Sequence, residues 1–199
     1  FIPLFAKALE GEGSRQARRF AEESLAALLF VLLLLTAIAE IIMPLFMLVL
    51  APGFVEDAGK FDLSVLLTRI TFPYLTFISL VALLSGVLNA LGRFAAAAFA
   101  PALLNAVLIG ALLLIHALDL DGSEYAGLYL SVGVFVAGVV QLVMLVIAAR
   151  RAGMGLSLVR PRFTPGVRRL VTLGIPGVIA GGITQINIMV GTMIASMQD

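Results

Sequence analysis

Residues 66 to 80 read LLTRITFPYLTFISL, an oily run broken by an arginine, Arg69, and four residues later by a proline, Pro73. In a soluble core both are awkward, because one is a cation without an evident partner and the other lacks an amide donor. The surroundings of this stretch indicate its solvent. Of 199 residues, 61% are hydrophobic and 13% charged, whereas ordinary soluble domains run roughly 45–50% apolar and about 25% charged. That excess apolar surface calls for lipid.

The apolar residues fall into five blocks, 25–50, 63–91, 99–118, 125–149 and 170–197, each at least 20 residues long. At about 1.5 Å rise per residue, each crosses a hydrocarbon layer of about 30 Å as a helix. The expected fold is therefore all-α, a polytopic transmembrane helical bundle of about five full spans. Residues 1–24 read as the end of a preceding helix followed by a link. The chain opens on Phe1 rather than methionine and its last block stops at Asp199, so we expect an excerpt of a longer protein. With no cysteine, it has neither a disulfide framework nor a thiolate metal site.

Alternating crossings sort the connecting segments into two sets. One holds Lys7, Arg15, Arg18, Arg19, Arg93, Arg150, Arg151, Arg160, Arg162, Arg168 and Arg169; the other holds Lys60 as its one cation, with Glu56, Asp57, Asp62, Asp119, Asp121, Glu124 and Asp199. By the positive-inside rule the first set, including the link 150–169, is cytoplasmic. The basic stretch VRPRFTPGVRR at 159–169 borders a span, where headgroups and orientation account for it, and no nucleic acid is expected.

Two charged side chains lie well inside the spans, Glu40 and Arg69. Each costs roughly 2.5–3.5 kcal/mol at mid-membrane on the insertion scale. Counted from the outer helix ends they sit at similar depths, about 16 and 12 Å at helical rise. We expect them to face each other across an antiparallel helix pair as an intramembrane ion pair. A role in substrate or proton handling, and snorkelling of Arg69 to the outer headgroups, are the alternatives. Pro73 frees the carbonyl of Arg69, a break that membranes tolerate where neighbours or water satisfy the freed group. Asn89 and Asn105 flank a short turn as candidate caps for helix ends, and His116 near Asp119 reads as an interfacial polar tip.

The last block places Pro176, Gly177, Gly181 and Gly182 in its first half, a candidate hinge. Further along, Gly181, Gln185, Thr192 and Ser196 fall within about 60° of one another on a helix, while Thr184 and Asn187 lie on another side. Gln185, Asn187, Thr192 and Ser196 are the candidate cavity-lining residues, with hydrogen bonding between helices as the alternative reading. Gly177 and Gly181 also form a GxxxG pattern.

Catalytic chemistry is not indicated. Hydrolysis or group transfer needs a nucleophile with a base, or a cluster of metal ligands. The sequence has one histidine, no HExxH and no paired carboxylates within a span. The GEG at 11–13 and GMG at 153–155 lack the setting of a nucleotide loop. No catalytic residue, metal site or cofactor is expected, and the chain reads as a transporter rather than an enzyme.

Several strings, taken in order, are distinctive: FIPLFAKALE at the start, LAPGF at 50–54, LTRITFPYLTFISLVALLSGVLNALGRFAAAAFAPALLN at 67–105 and IPGVIAGGITQINIMVGTMIAS at 175–196. Over essentially its whole length the sequence resembles the MurJ (MviN) family of bacterial lipid II flippases, within the multidrug/oligosaccharidyl-lipid/polysaccharide exporter superfamily. The resemblance implies the end of the second helix through the seventh of about fourteen, that is, part of the first lobe plus the first helix of the second. It further implies export of an undecaprenyl-pyrophosphate-linked peptidoglycan precursor across the bacterial plasma membrane by alternating access, with membrane lipids as neighbours. The family's cavity arginines lie on helices outside this stretch, so no pyrophosphate clamp carries over. Its seventh helix lines the cavity and bends, matching the Gly/Pro-rich block. A monovalent cation is a further partner the resemblance raises, yet Gly191 stands where many members carry Asp or Asn. The position of Arg69 tolerates uncharged polar residues in the family, favouring a structural clamp. Other readings are a drug or polysaccharide exporter of the same superfamily, a membrane scaffold and a membrane-embedded transferase.

Overall fold

The computed structural model describes residues 1–196, apart from the side chains at positions 178, 180, 183, 184, 186, 187, 193 and 196. Among the described residues every regular element is a helix: α1 (Ile2–Glu12), α2 (Ser14–Leu50), a 3-10 turn (Pro52–Glu56), α3 (Ala58–Thr71), α4 (Tyr74–Ala90), α5 (Phe94–Ala117), α6 (Glu124–Arg151) and α7 (Pro165–Ser196). Among the described residues four stretches are long and apolar enough to cross a membrane: Ser14–Leu50, Ala58–Ala90, Phe94–Ala117 and Glu124–Arg151. The chain is thus a polytopic all-α membrane protein. α7, the last expected span, is continuous over 32 residues through Pro176.

The first expected span begins earlier than hydropathy suggested, because α2 is one helix of 37 residues, about 55 Å at helical rise. Its first turns carry Arg18–Glu22 and Arg19–Glu23 pairs four residues apart, which suit exposed helix. α1 joins it through Gly13 at φ 84°, a left-handed conformation that glycine adopts without a Cβ clash. The second expected span is the pair α3 and α4. Asp57 caps α3 by accepting from the amide of Lys60 at 3.1 Å, an N-terminal cap in the ordinary sense. At Phe72 and Pro73 the backbone stays right-handed helical, so the proline notches a single span without turning it. Bonds from Leu75 N to Phe72 O and from Thr76 N to Pro73 O, both 3.0 Å, tighten the helix there to three-residue closure.

α6 is the hub of the bundle, packing on α3, α4 and α5. Small residues make this possible, as expected where van der Waals fit rather than water exclusion drives helix association. A Cβ on Gly138 would lie 2.8 Å from ring carbons of both Phe77 and Tyr74; on Gly127 it would meet Leu67 at 3.0 Å, and on Gly133 it would meet Ala111 at 3.3 Å. Beside this contact Val81, Leu84 and Leu88 of α4 pack with Ala100 of α5 and Leu145 and Ala149 of α6. At the basic end Phe5, Ala17, Ala21, Leu83, Val87 and Met154 form a second cluster, joining α1 and α2 to α4. By contrast Leu33, Leu34, Ile41, Leu112, Leu113 and Ile179 are exposed, a surface suited to lipid or to further protein.

Candidate functional site

The notched segment is a polar junction. From α3 and α4 it sends side chains to α2 on one flank and to α6 on the other. Thr76 Oγ1 lies 3.1 Å from Thr36 Oγ1 of α2. Tyr74 OH donates to Gln141 Oε1 of α6 at 3.3 Å, and Gln141 Nε2 donates to the carbonyl of Ala100 in α5 at 2.6 Å. Gln141 is 1% exposed, so both ends of its amide are satisfied by protein in a place water does not supply partners. Thr68 and Thr71 turn back on the carbonyls of Ser64 and Leu67 at 2.7 and 3.0 Å. The side chains of Thr68, Thr71, Tyr74 and Thr76 thus each have a local or cross-helix bond.

Arg69 meets Glu40, though not as an ion pair. Its Nε donates to the backbone carbonyl of Glu40 at 3.2 Å, and no salt bridge joins the two side chains. One carboxylate oxygen of Glu40, Oε1, is buried without a hydrogen-bond partner. The expected charge pairing is corrected on two physical grounds. First, side chains lean toward the N-terminus of their own helix, and α2 and α3 are antiparallel, so side chains at equal depth diverge along the axis. Second, Pro44 lies inside α2 and withholds the amide that would bond Glu40 O. The guanidinium therefore fills a vacancy in the ladder of α2, where an unmet carbonyl in lipid is costly. Two prolines are thereby linked, one beside the donor and one beside the acceptor.

On α7, Gln185 and Thr192 are exposed, and Thr192 Oγ1 donates to Ile188 O at 3.1 Å. The side chains of Thr184, Asn187 and Ser196 lie outside the described residues, as does Asp199. Nothing approaches the Cβ positions of Gly174, Gly177, Gly181, Gly182 or Gly191 within 4 Å. Among the described residues, no helix therefore packs on the GxxxG face. α7 starts against α2, with Gly166 over the Phe20 ring, and also contacts the 3-10 turn that follows α2. It thus runs the same way as α2.

The basic link is fastened rather than loose. Glu22 Oε1 accepts from Arg18 Nε at 3.1 Å and from the amide of Ser157 at 2.9 Å, while Glu23 binds Arg19 Nε and Thr164 Oγ1 at 3.1 and 2.9 Å. Two carboxylates on α2 thus hold both ends of residues 157–164. His116 pairs with Asp121 at 2.9 Å, not with Asp119, which takes up a left-handed turn at φ 53°. Among the described residues, neither Asn89 nor Asn105 makes a capping bond through its side chain. Gln141, Thr36 and Thr76 are site residues that the sequence reading missed. An amide or hydroxyl inside an apolar run is the signal that would have found them.

The family model described as "Lipid II flippase MurJ" matches residues 1–199. A probable lipid II flippase MurJ from Rhizobium tropici is 50% identical over 197 residues, covering 98% of this chain and 37% of the relative. One from Rhizobium meliloti (strain 1021) is 46% identical over 200 residues, again 37% of its length. The lipid II flippase MurJ of Burkholderia cenocepacia is 32% identical over 200 residues, covering 98% of this chain and 38% of its own. The chain spans little more than a third of the length of these curated relatives. With the family model matching the whole chain and relatives 50% and 46% identical along nearly all of it, the chain belongs to the MurJ lipid II flippase family.

Proposed function

We propose that the protein carrying this chain moves a lipid-linked peptidoglycan precursor, lipid II, from the inner to the outer leaflet of the bacterial plasma membrane. Family membership over residues 1–199 is the observation that carries this reading. Alternating access requires one body that holds its shape and another that moves against it. The α3–α6 group suits the first role: Gly138 admits two aromatic rings, and Gln141 ties α4, α5 and α6 together. α7 suits the second, because no side chain must be repacked around Gly174, Gly177, Gly181 or Gly182 when it bends, and Pro176 already removes one ladder bond. On this reading Gln185, Asn187, Thr192 and Ser196 face the transport path, α7 is a fifth crossing, and the link 150–169 is cytoplasmic. The Arg69–Glu40 contact braces α2 against α3 and takes no part in moving substrate.

Depletion of the full gene tests the proposal. Precursor trapped in the inner leaflet, followed by lysis, is the expected result. Unchanged precursor distribution with loss of drug resistance or of a surface polymer would assign the protein to export of another cargo.

A further inference from the structure

A second site stands apart from the notched segment and from α7. At the basic end of the bundle a cavity of about 950 Å³ opens between the start of α5 and the last turns of α6. Its walls are apolar: Leu103, Val140, Val143, Met144 and Ile147 among them. Its rim carries Arg93 and Arg151. Neither guanidinium has a hydrogen-bond or ion-pair partner among the described residues, in contrast to Arg18 and Arg19, which are paired with Glu22 and Glu23. Arg93 is also the N-cap of α5, whose first turn receives no side-chain cap. The amide-rich, positive end of that 24-residue helix therefore faces the same rim, adding to what the two arginines already provide.

We propose that this cavity binds an anionic phospholipid of the surrounding bilayer, its phosphate between Arg93 and Arg151 and one acyl chain along Val140, Val143, Met144 and Ile147. The chemistry fits on both sides. Guanidinium forks match phosphate oxygens, and basic pockets between membrane helices at the cytoplasmic side are suited to anionic headgroups. The apolar wall continues from the rim along α6 toward mid-membrane, since Val143 and Ile147 are half-exposed on successive turns. A soluble phosphate would gain nothing from that wall, and a zwitterionic lipid would bring its own cation to two unpaired ones. The occupant would hold the α5–α6 corner against the bilayer. The site depends on where α5 and α6 lie and not on which cargo is carried, so its fate is separate from that of the flippase reading.

The test uses full-length protein in a neutral detergent, offered equal amounts of phosphatidylglycerol and phosphatidylcholine, with bound lipid counted by native mass spectrometry. Wild type should retain phosphatidylglycerol at least five-fold over phosphatidylcholine. Arg93→Gln with Arg151→Gln should abolish that preference, and Ala96→Phe, which fills the cavity without touching charge, should lower total lipid retained. The charge-matched control Arg160→Gln with Arg162→Gln, in the same basic region but outside the cavity, should keep the preference. Equal loss in both arginine pairs would reduce the effect to general attraction and overturn the site. So would the absence of preference in wild type, or displacement of the phosphatidylglycerol by a stoichiometric polyprenyl pyrophosphate, which would give the cavity to the cargo instead.

Discussion

Arg69 illustrates how a residue can be rightly suspected and wrongly paired. Its depth opposite Glu40 followed from counting helical rise, but the acceptor is the carbonyl that Pro44 leaves unmet rather than the carboxylate. What was illegible is the lean of side chains on antiparallel helices, which depends on three-dimensional placement. The two pairings predict different mutants. Glu40→Gln should leave stability nearly unchanged, since the carbonyl survives, whereas Arg69→Ala should cost about 1–3 kcal/mol, the usual penalty for a polar group left unsatisfied away from water. In a Pro44→Ala background, where the helix regains its amide, the Arg69→Ala cost should shrink; thermal unfolding of the full protein in detergent completes the double-mutant cycle. An ion pair would instead make Glu40→Gln the harmful change. Gln141→Leu leaves the Ala100 carbonyl its helical partners but strips Tyr74 of its acceptor, so a loss of about 0.6 kcal/mol, typical of a hydrogen bond between membrane helices, is the expected outcome of the same assay.

Among the elements, the contrast is between α6 and α7. Both are rich in glycine: Gly127, Gly133 and Gly138 of α6 sit under side chains of α3, α4 and α5, while among the described residues nothing comes within 4 Å of the Cβ positions at Gly177 and Gly181 of α7. Sequence shows where glycine is, but not which helix lies beside it. Gly138→Leu should therefore destabilise the bundle by about 1–3 kcal/mol through overpacking, read as a lower melting temperature. Gly177→Ala and Gly181→Ala should leave the melting temperature unchanged and yet slow lipid II translocation several-fold in a leaflet-accessibility assay, because on the proposed reading α7 bends and alanine stiffens it. Full activity in both alanine variants would remove α7 from the moving part. The proline of the opening stretch was legible as a break, and its form, a notch that keeps two half-helices in one span, came from the Phe72 and Pro73 backbone.

For the whole molecule, composition and block lengths sufficed for an all-α polytopic membrane chain, because five apolar runs in lipid leave the backbone no other way to satisfy itself than as helices. Helix ends were less legible: α2 extends eleven residues before the apolar block, held by Arg–Glu pairs and by the 157–164 link, none of which hydropathy registers. The central claim is that these helices thread the bilayer in alternation, with the arginine-rich connections on one side. The most direct measurement places single cysteines in the full-length protein made cysteine-free, at Leu158 in the basic link and at Glu56 in the 3-10 turn, both exposed, and treats intact spheroplasts with a membrane-impermeant thiol reagent. Labelling at position 56, with position 158 protected until the membrane is opened, is the result expected. Labelling of position 158 in sealed cells would contradict the threading and, with it, the direction of transport.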